Sequence, residues 1–158
     1  MEGSHKVGRV KKGAIPLKAY QDLPAFKLYL VDVGLLAAMV DLDAKTMLSG
    51  NDIFTEFKGA LTEQYVCQQI LSELDTVPYY WSAQSSTGEV DFILQHAGNV
   101  IPLEVKAEEN LNAKSLKSFV KNYKLPFGVR TSMSDYREQE KLINLPLYAI
   151  SEMWKTDA

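Results

Sequence analysis

The residues best suited to chemistry sit on two short runs: Asp91 in Gly88-Glu89-Val90-Asp91-Phe92-Ile93-Leu94, and Glu104 with Lys106 in Val100-Ile101-Pro102-Leu103-Glu104-Val105-Lys106. Both runs are rich in apolar and β-branched residues, and His96-Ala97-Gly98-Asn99 between them reads as a hairpin connection. A turn at Ala97-Gly98 sets Asp91 directly opposite Glu104, whereas a turn at Gly98-Asn99 sets it opposite Lys106 and diagonal to Glu104. In either register the strand period sends all three side chains to one face; a three-residue turn reverses the parity. Facing residues have Cβ atoms about 4.5–5.5 Å apart, so two carboxylates can meet one hard cation, Mg²⁺ or Mn²⁺, at about 2.0–2.6 Å per oxygen. A neighbouring ammonium then stabilises charge developing on a phosphate. The plainer alternative is a cross-strand ion pair on a solvated face.

The elements that must position these residues follow from periodicity. Phe54 to Leu74 predicts a helix, with Phe57, Leu61, Tyr65, Val66, Ile70 and Leu74 on its apolar side and Glu63 within it. Val77–Gln84, Glu89–Gln95 and Val100–Lys106 predict three consecutive strands in an antiparallel meander. A second helix, Leu111–Tyr123, buries Leu116, Phe119, Val120 and Tyr123 and turns Lys114, Lys117, Lys121 and Lys124 outward. Phe127–Met133 and Leu145–Ile150 read as closing strands. Upstream, Ala25–Val31 reads as a strand or extended entry, Asp32 as an N-cap and Val33–Val40 as a short buried helix. The expected fold is α/β with a mixed central sheet. Residues 1–50 are an N-terminal extension and subregion packed on a core at 51–158, in one domain overall.

The chain of 158 residues is 46% hydrophobic and 23% charged, a balance that builds a core rather than a disordered chain. A net charge of −3 argues against a strongly basic, autonomous nucleic-acid binder. Cys67 is the only cysteine, which excludes an intramolecular disulfide and a cysteine-rich zinc site and points to a reducing cytoplasm. The apolar run Leu28–Val40 is too short to span a bilayer and contains Asp32, so no membrane partner is expected. Met1-Glu2-Gly3-Ser4 reads as an added leader, and the chain as a C-terminal piece excised from a longer protein.

Asp91, Glu104 and Lys106, in this order of helix, three strands, helix and strand, resemble the PD-(D/E)xK phosphodiesterase superfamily, with its restriction-endonuclease-like core. The resemblance implies Asp91 and Glu104 as metal ligands and Lys106 as the catalytic group at the attacking water. It also implies that Glu63, from the preceding helix, completes the site; Val90 stands where the family name has proline. A second resemblance covers nearly the whole chain. Phe26 to Leu36, Lys58-Gly59-Ala60-Leu61-Thr62-Glu63, Gly88 to Phe92, Leu103-Glu104-Val105-Lys106 and Leu145-Pro146-Leu147-Tyr148 are similar to the uncharacterised C-terminal domain behind an AAA-type ATPase module in bacterial and archaeal proteins. That implies an upstream ATPase as partner. The chain itself has no GxxxxGK[ST] loop and so no ATP site of that kind.

The expected activity is therefore a metal-dependent, nuclease-like domain acting on or docking DNA. The alternative is a catalytically silent regulatory or protein-interaction domain, with part of Leu28–Val40 as a contact surface. Lys114, Lys117, Lys121 and Lys124 recur at helical spacing and form a stripe that either follows a phosphate backbone or is a solvated helix face. Arg9, Lys11, Lys12 and Lys18 read as a loose terminus rather than the end of a basic DNA-contacting wing. His5 and His96 lie too far from the carboxylates to serve them, and no histidine partners Ser82 or Ser85 for nucleophilic catalysis. Tyr79, Tyr80 and Trp81 read as packing residues.

Overall fold

A computed structural model describes residues 3–48, 55–85, 87–107 and 112–157. The break at Ser49-Gly50-Asn51, and Phe54, Ser86 and Leu111, lie outside the described residues. The strands are β1 (Ser4–Val10), β2 (Gln21–Leu30), β3 (Tyr79–Ser82), β4 (Glu89–His96), β5 (Asn99–Val105), β6 (Gly128–Ser132), β7 (Arg137–Gln139) and β8 (Leu142–Pro146). They form one eight-stranded mixed sheet in the order β2-β1-β3-β4-β5-β6-β8-β7. Helices α1 (Val33–Met39), α2 (Ala44–Leu48), α3 (Thr55–Glu73) and α4 (Lys114–Asn122) accompany it, with a 3-10 segment Leu147–Asp157 that kinks at Ala149.

Two apolar layers sandwich the sheet. On one face α3 contributes Val66, Cys67, Ile70 and Leu74, packed with Phe92, Leu94, Ile101, Leu103, Ile150 and Met153. On the other α4 contributes Leu116, Phe119 and Val120, packed with Val10, Val90, Ile93 and Val100. The amphipathic pattern of α4 predicts this, since its lysines are the residues left facing water. Gly128 lets α4 approach closely: a Cβ there would lie 2.8 Å from Val120 and 2.9 Å from Leu116.

The expected meander exists, β3–β4 and β4–β5 both pairing antiparallel. The β4–β5 register pairs Phe92 with Leu103 and His96 with Asn99, which makes Ala97-Gly98 the turn. Both turn residues have positive φ, 47° and 79°, as a two-residue hairpin of the type matched to strand twist requires. The Asp32 side chain accepts from Leu35 N at 3.0 Å, as an N-cap should. Tyr79 and Tyr80 are buried, and Trp81 packs edge-on against Phe119.

Three readings need correction. The N-terminus is no loose tail: β1 is an interior strand, antiparallel to β2 and parallel to β3, because Val7 and Val10 are both fully buried. Helix α1 buries none of its residues: it lies beside α3 and the edge strand β2, and Leu35 and Met39 are exposed. The last strand ends at Pro146, and Leu147 onward turns helical. Ile150 and Met153, three residues apart, then bury on the α3 side, which a strand could not do on one face.

Candidate functional site

Strand β4 contains one residue more than β3 needs. Tyr79 pairs with Ile93, but Trp81 pairs with Val90, so the pair Asp91-Phe92 stands against the single residue Tyr80. This bulge breaks the alternation. Val90 and Ile93 pack on the α4 side, while Phe92 and Leu94 pack on the α3 side. The described β4–β5 ladder runs from His96–Asn99 to Phe92–Leu103, and beyond it the Asp91 carboxylate accepts the Val105 N–H at 2.8 Å. Asp91 thus occupies the fork between β4 and β5, in place of a backbone carbonyl.

That fork is where the carboxylates gather. Glu63, on α3, accepts hydrogen bonds from the Tyr29 hydroxyl and from Lys27 Nζ at 3.2 Å. Lys27 also pairs with Glu89 and lies 5.1 Å from the centre of the Tyr80 ring. Tyr29 and Lys27 share one side of β2 because they are two residues apart, and Tyr29 is held by its contact with Phe92, the neighbour of Asp91. Gln64 fixes the end of β2: its amide accepts from Leu30 N at 2.9 Å and donates to Leu30 O at 2.6 Å.

Ile101 and Leu103 pack on the α3 side and Val100 on the α4 side, so alternation along β5 turns Glu104 with Val100. Its Oε1 lies 2.5 Å from Lys106 Nζ, and Arg130, its partner across the parallel β5–β6 pair, adds a nearby positive charge. Arg130 Nε donates to Asn144 Oδ1 at 3.0 Å, and the Ser132 hydroxyl donates to the same oxygen at 2.8 Å. Asn144 in turn donates to Ser134 O and Asp135 O. This is a buried polar network beneath Glu104. The bulge brings Asp91 into the strand gap, where its carboxylate bonds Val105 N next to Glu104, whose own carboxylate pairs with Lys106.

The electrostatics are unbalanced. Glu63, Glu89, Asp91 and Glu104 carry four carboxylates, faced by Lys27, Lys106 and Arg130. Burial, then the charge of Glu63, pushes the Asp91 carboxyl up to about 7, against relief from the Val105 N–H and Lys27. Glu104 adds to the rise. Burial alone would lower the Lys27 ammonium, but Glu63 and Glu89 outweigh it and the net shift is upward. Burial and Glu63 push the Tyr29 hydroxyl well above its ordinary value, and the Cys67 thiol, one helical turn from Glu63, to about 12. Among the described residues, buried Glu104 Oε2 has no hydrogen-bond partner.

Of the predicted site residues, Glu63, Asp91, Glu104 and Lys106 are brought to this fork. Lys114, Lys117, Lys121 and Lys124 are exposed on or just after α4. Among the described residues no three His, Cys, Asp or Glu side chains are gathered closely enough to hold a metal ion by themselves. His96 stacks on Trp154, with ring centres 4.0 Å apart. Lys27, Tyr29, Glu89, Arg130 and Asn144 escaped sequence reasoning. The alternation of Lys27 and Tyr29 with Phe26 and Leu28 was a readable signal; the Arg130–Asn144 contact had none.

No helix among the described residues is long and apolar enough to cross a membrane. No curated protein and no solved structure matches the chain. A family model described as a domain of unknown function, DUF4143, matches residues 58–150, a stretch that includes Glu63, Asp91, Glu104 and Lys106 and begins after Lys27 and Tyr29. With more than half of the chain matched, and the carboxylate fork built largely inside that stretch, the protein belongs to the DUF4143 family.

Proposed function

We propose that this domain is a metal-dependent, nuclease-like phosphodiesterase acting on DNA, with a Mg²⁺ or Mn²⁺ ion held by Asp91 and Glu104. The observation that carries the reading is the missing positive charge at the fork. Among the described residues three cationic side chains face four carboxylates, Asp91 is held protonated up to about pH 7, and the buried Glu104 Oε2 has no hydrogen-bond partner. Two carboxylates suit Mg²⁺, which commonly takes one or two from protein and fills its shell with water and phosphate oxygens. A bound cation would supply Lewis acidity and a more acidic water. Lys106, 2.5 Å from Glu104, is the ammonium nearest that ligand and serves to stabilise charge on the phosphate. Glu63, held by Tyr29 and Lys27, orients the water side of the site. The resemblances to the PD-(D/E)xK superfamily and to the domain found behind AAA-type ATPase modules support the same reading.

The test is a Mn²⁺ titration by calorimetry at pH 6 and pH 8 in buffers of different ionisation enthalpy, alongside cleavage of single- and double-stranded DNA. A cation that replaces the Asp91 proton binds more tightly at pH 8 and releases a proton on binding at pH 6. Lys106→Ala should keep Mn²⁺ affinity while reducing cleavage by roughly 100-fold or more, the effect typical of removing one electrostatic group aimed at the reacting centre. Absence of metal binding in the wild type at both pH values overturns the proposal.

A second reading has its own observation. Lys27 bridges Glu63 and Glu89 at the fork, a resident cation that leaves the site structural, and Leu28, Val31, Leu35, Met39 and Val40 are exposed nearby in sequence. Under this reading the domain is a silent regulatory or protein-interaction module of the ATPase. Neither metal binding nor cleavage, in this chain and in the full-length parent with ATP, would favour it.

A further inference from the structure

We infer that the groove between the end of α4 and the β7–β8 turn is a binding site for a run of phosphates. The groove is a cavity of about 770 Å³, a size typical of sites for molecules rather than of surface relief. Lys117, Lys121 and Lys124 form one wall and Lys141 stands on the other, over a floor of Val120 and Leu142. Among the described residues none of these four ammonium groups makes an ion pair, although the chain as a whole carries a net charge of −3. Among the described residues Glu140 is the one carboxylate lining the groove, so its walls keep a positive excess.

The backbone fixes both walls. Lys124 has φ 53°, which ends α4 and turns the chain, and Leu125 N donates to Val120 O at 2.9 Å. Glu140 has φ 54° in the opposite turn, and Gly128 N donates to Lys141 O at 2.8 Å, tying that turn to the strand that follows α4. Like charges held on two sides of one groove repel, and an anion between them relieves the repulsion. A lysine stripe on a convex helix would suit the outside of a duplex. Lysines converging from two walls suit a slender polyanion, with a phosphate run as the chemistry that several ammonium groups satisfy together.

The floor residue Leu142 pairs with Gly128 on β6, which neighbours β5, so the groove lies two strands, about 10 Å, across the sheet from the strand of Glu104. It is a separate site from the carboxylate fork and needs no metal. The phosphate run has two sources, a free polyphosphate or one strand of nucleic acid.

The test is done in EDTA at low salt, so that the outcome is independent of any metal site. A labelled single-stranded oligonucleotide is titrated with the protein by fluorescence anisotropy, and inorganic tripolyphosphate is titrated by calorimetry. Lys121→Glu and Lys141→Glu, on opposite walls, should each weaken binding roughly tenfold or more, as loss of a charge-assisted contact does. For an oligonucleotide the salt slope should flatten by about 0.7 per lost contact. Lys114→Glu changes the net charge equally but does not line the groove, and should leave affinity within about twofold. Binding of the oligonucleotide alone assigns a nucleic-acid strand, and binding of tripolyphosphate, with competition against the oligonucleotide, assigns a free polyphosphate. No binding of either probe by the wild type, or an equal loss in Lys114→Glu, overturns the inference.

Discussion

Asp91 holds a proton that an exposed aspartate would lose. Its carboxyl is pushed up to about 7 by burial and by Glu63, from an ordinary value of 3.8. The unfolded chain therefore releases this proton about three units earlier than the folded one. Stability tied to this group is present below the ordinary carboxylate range and is lost as pH rises from about 4 to about 7. Asp91→Asn removes the titration while its side-chain oxygen still accepts the Val105 N–H. Thermal melts of the variant and the wild type should coincide near pH 4. By pH 8 the variant should be the more stable, by no more than about 4 kcal/mol at 1.4 kcal/mol per unit. A variant less stable than wild type at pH 8 would mean that Asp91 is ionised and well compensated in the folded protein.

Single elements decide whether these residues meet. The bulge in β4 turns Asp91 into the gap beside β5, and β2 brings Lys27 and Tyr29 only because its end is clamped. Leu30 N and Leu30 O are both bonded to Gln64, a side chain 3% exposed on α3, and Val33 N is bonded to Gln68 one turn later. The clamp satisfies backbone groups that an edge strand would otherwise leave open. Gln64→Leu keeps the volume of the side chain but leaves a buried donor and acceptor without partners. Denaturant unfolding should show a loss of about 1–3 kcal/mol. If metal binding occurs at the fork, it should weaken in the same variant, because Lys27 and Glu63 lose their register. An unchanged unfolding midpoint would show that water replaces the amide at no cost.

The whole molecule is one sheet rather than a core with an appendage. β1 lies between β2 and β3, Val7 joins the layer under α3, Val10 joins the layer under α4, and Tyr29 packs on Phe92. Arg9 ties three strands together, donating to Asp22 on β2 and to the Ser82 side chain and carbonyl on β3. The family match begins only at residue 58. A chain trimmed to residues 55–158 therefore exposes one edge of β3 and opens both apolar layers. It should show no cooperative thermal transition and should bind a dye specific for exposed apolar surface, whereas residues 1–158 melt in one step. A sharp melt of the trimmed chain would show that residues 55–158 fold without β1 and β2.

Elements with a strong period were legible in the linear chain. The spacing of Leu61, Val66, Ile70 and Leu74 sets α3, that of Leu116, Phe119 and Val120 sets α4, and His96-Ala97-Gly98-Asn99 marks the hairpin that brings β4 beside β5, with the choice of Ala97-Gly98 as its turn made by the register. Each is a local preference repeated often enough to outweigh competing conformations. What lay beyond reach depends on contacts between distant residues. The extra residue in β4 is visible only against β3, and β1 becomes an interior strand only because Val7 and Val10 find two different layers to fill. Lys27 and Glu63 are brought together across 36 positions of the chain, as are Arg130 and Asn144 across 14. Pattern along a strand or helix records which face a side chain takes. Which charges then share a buried fork, and so which of them keeps its proton, is decided by packing and by the low dielectric that packing creates.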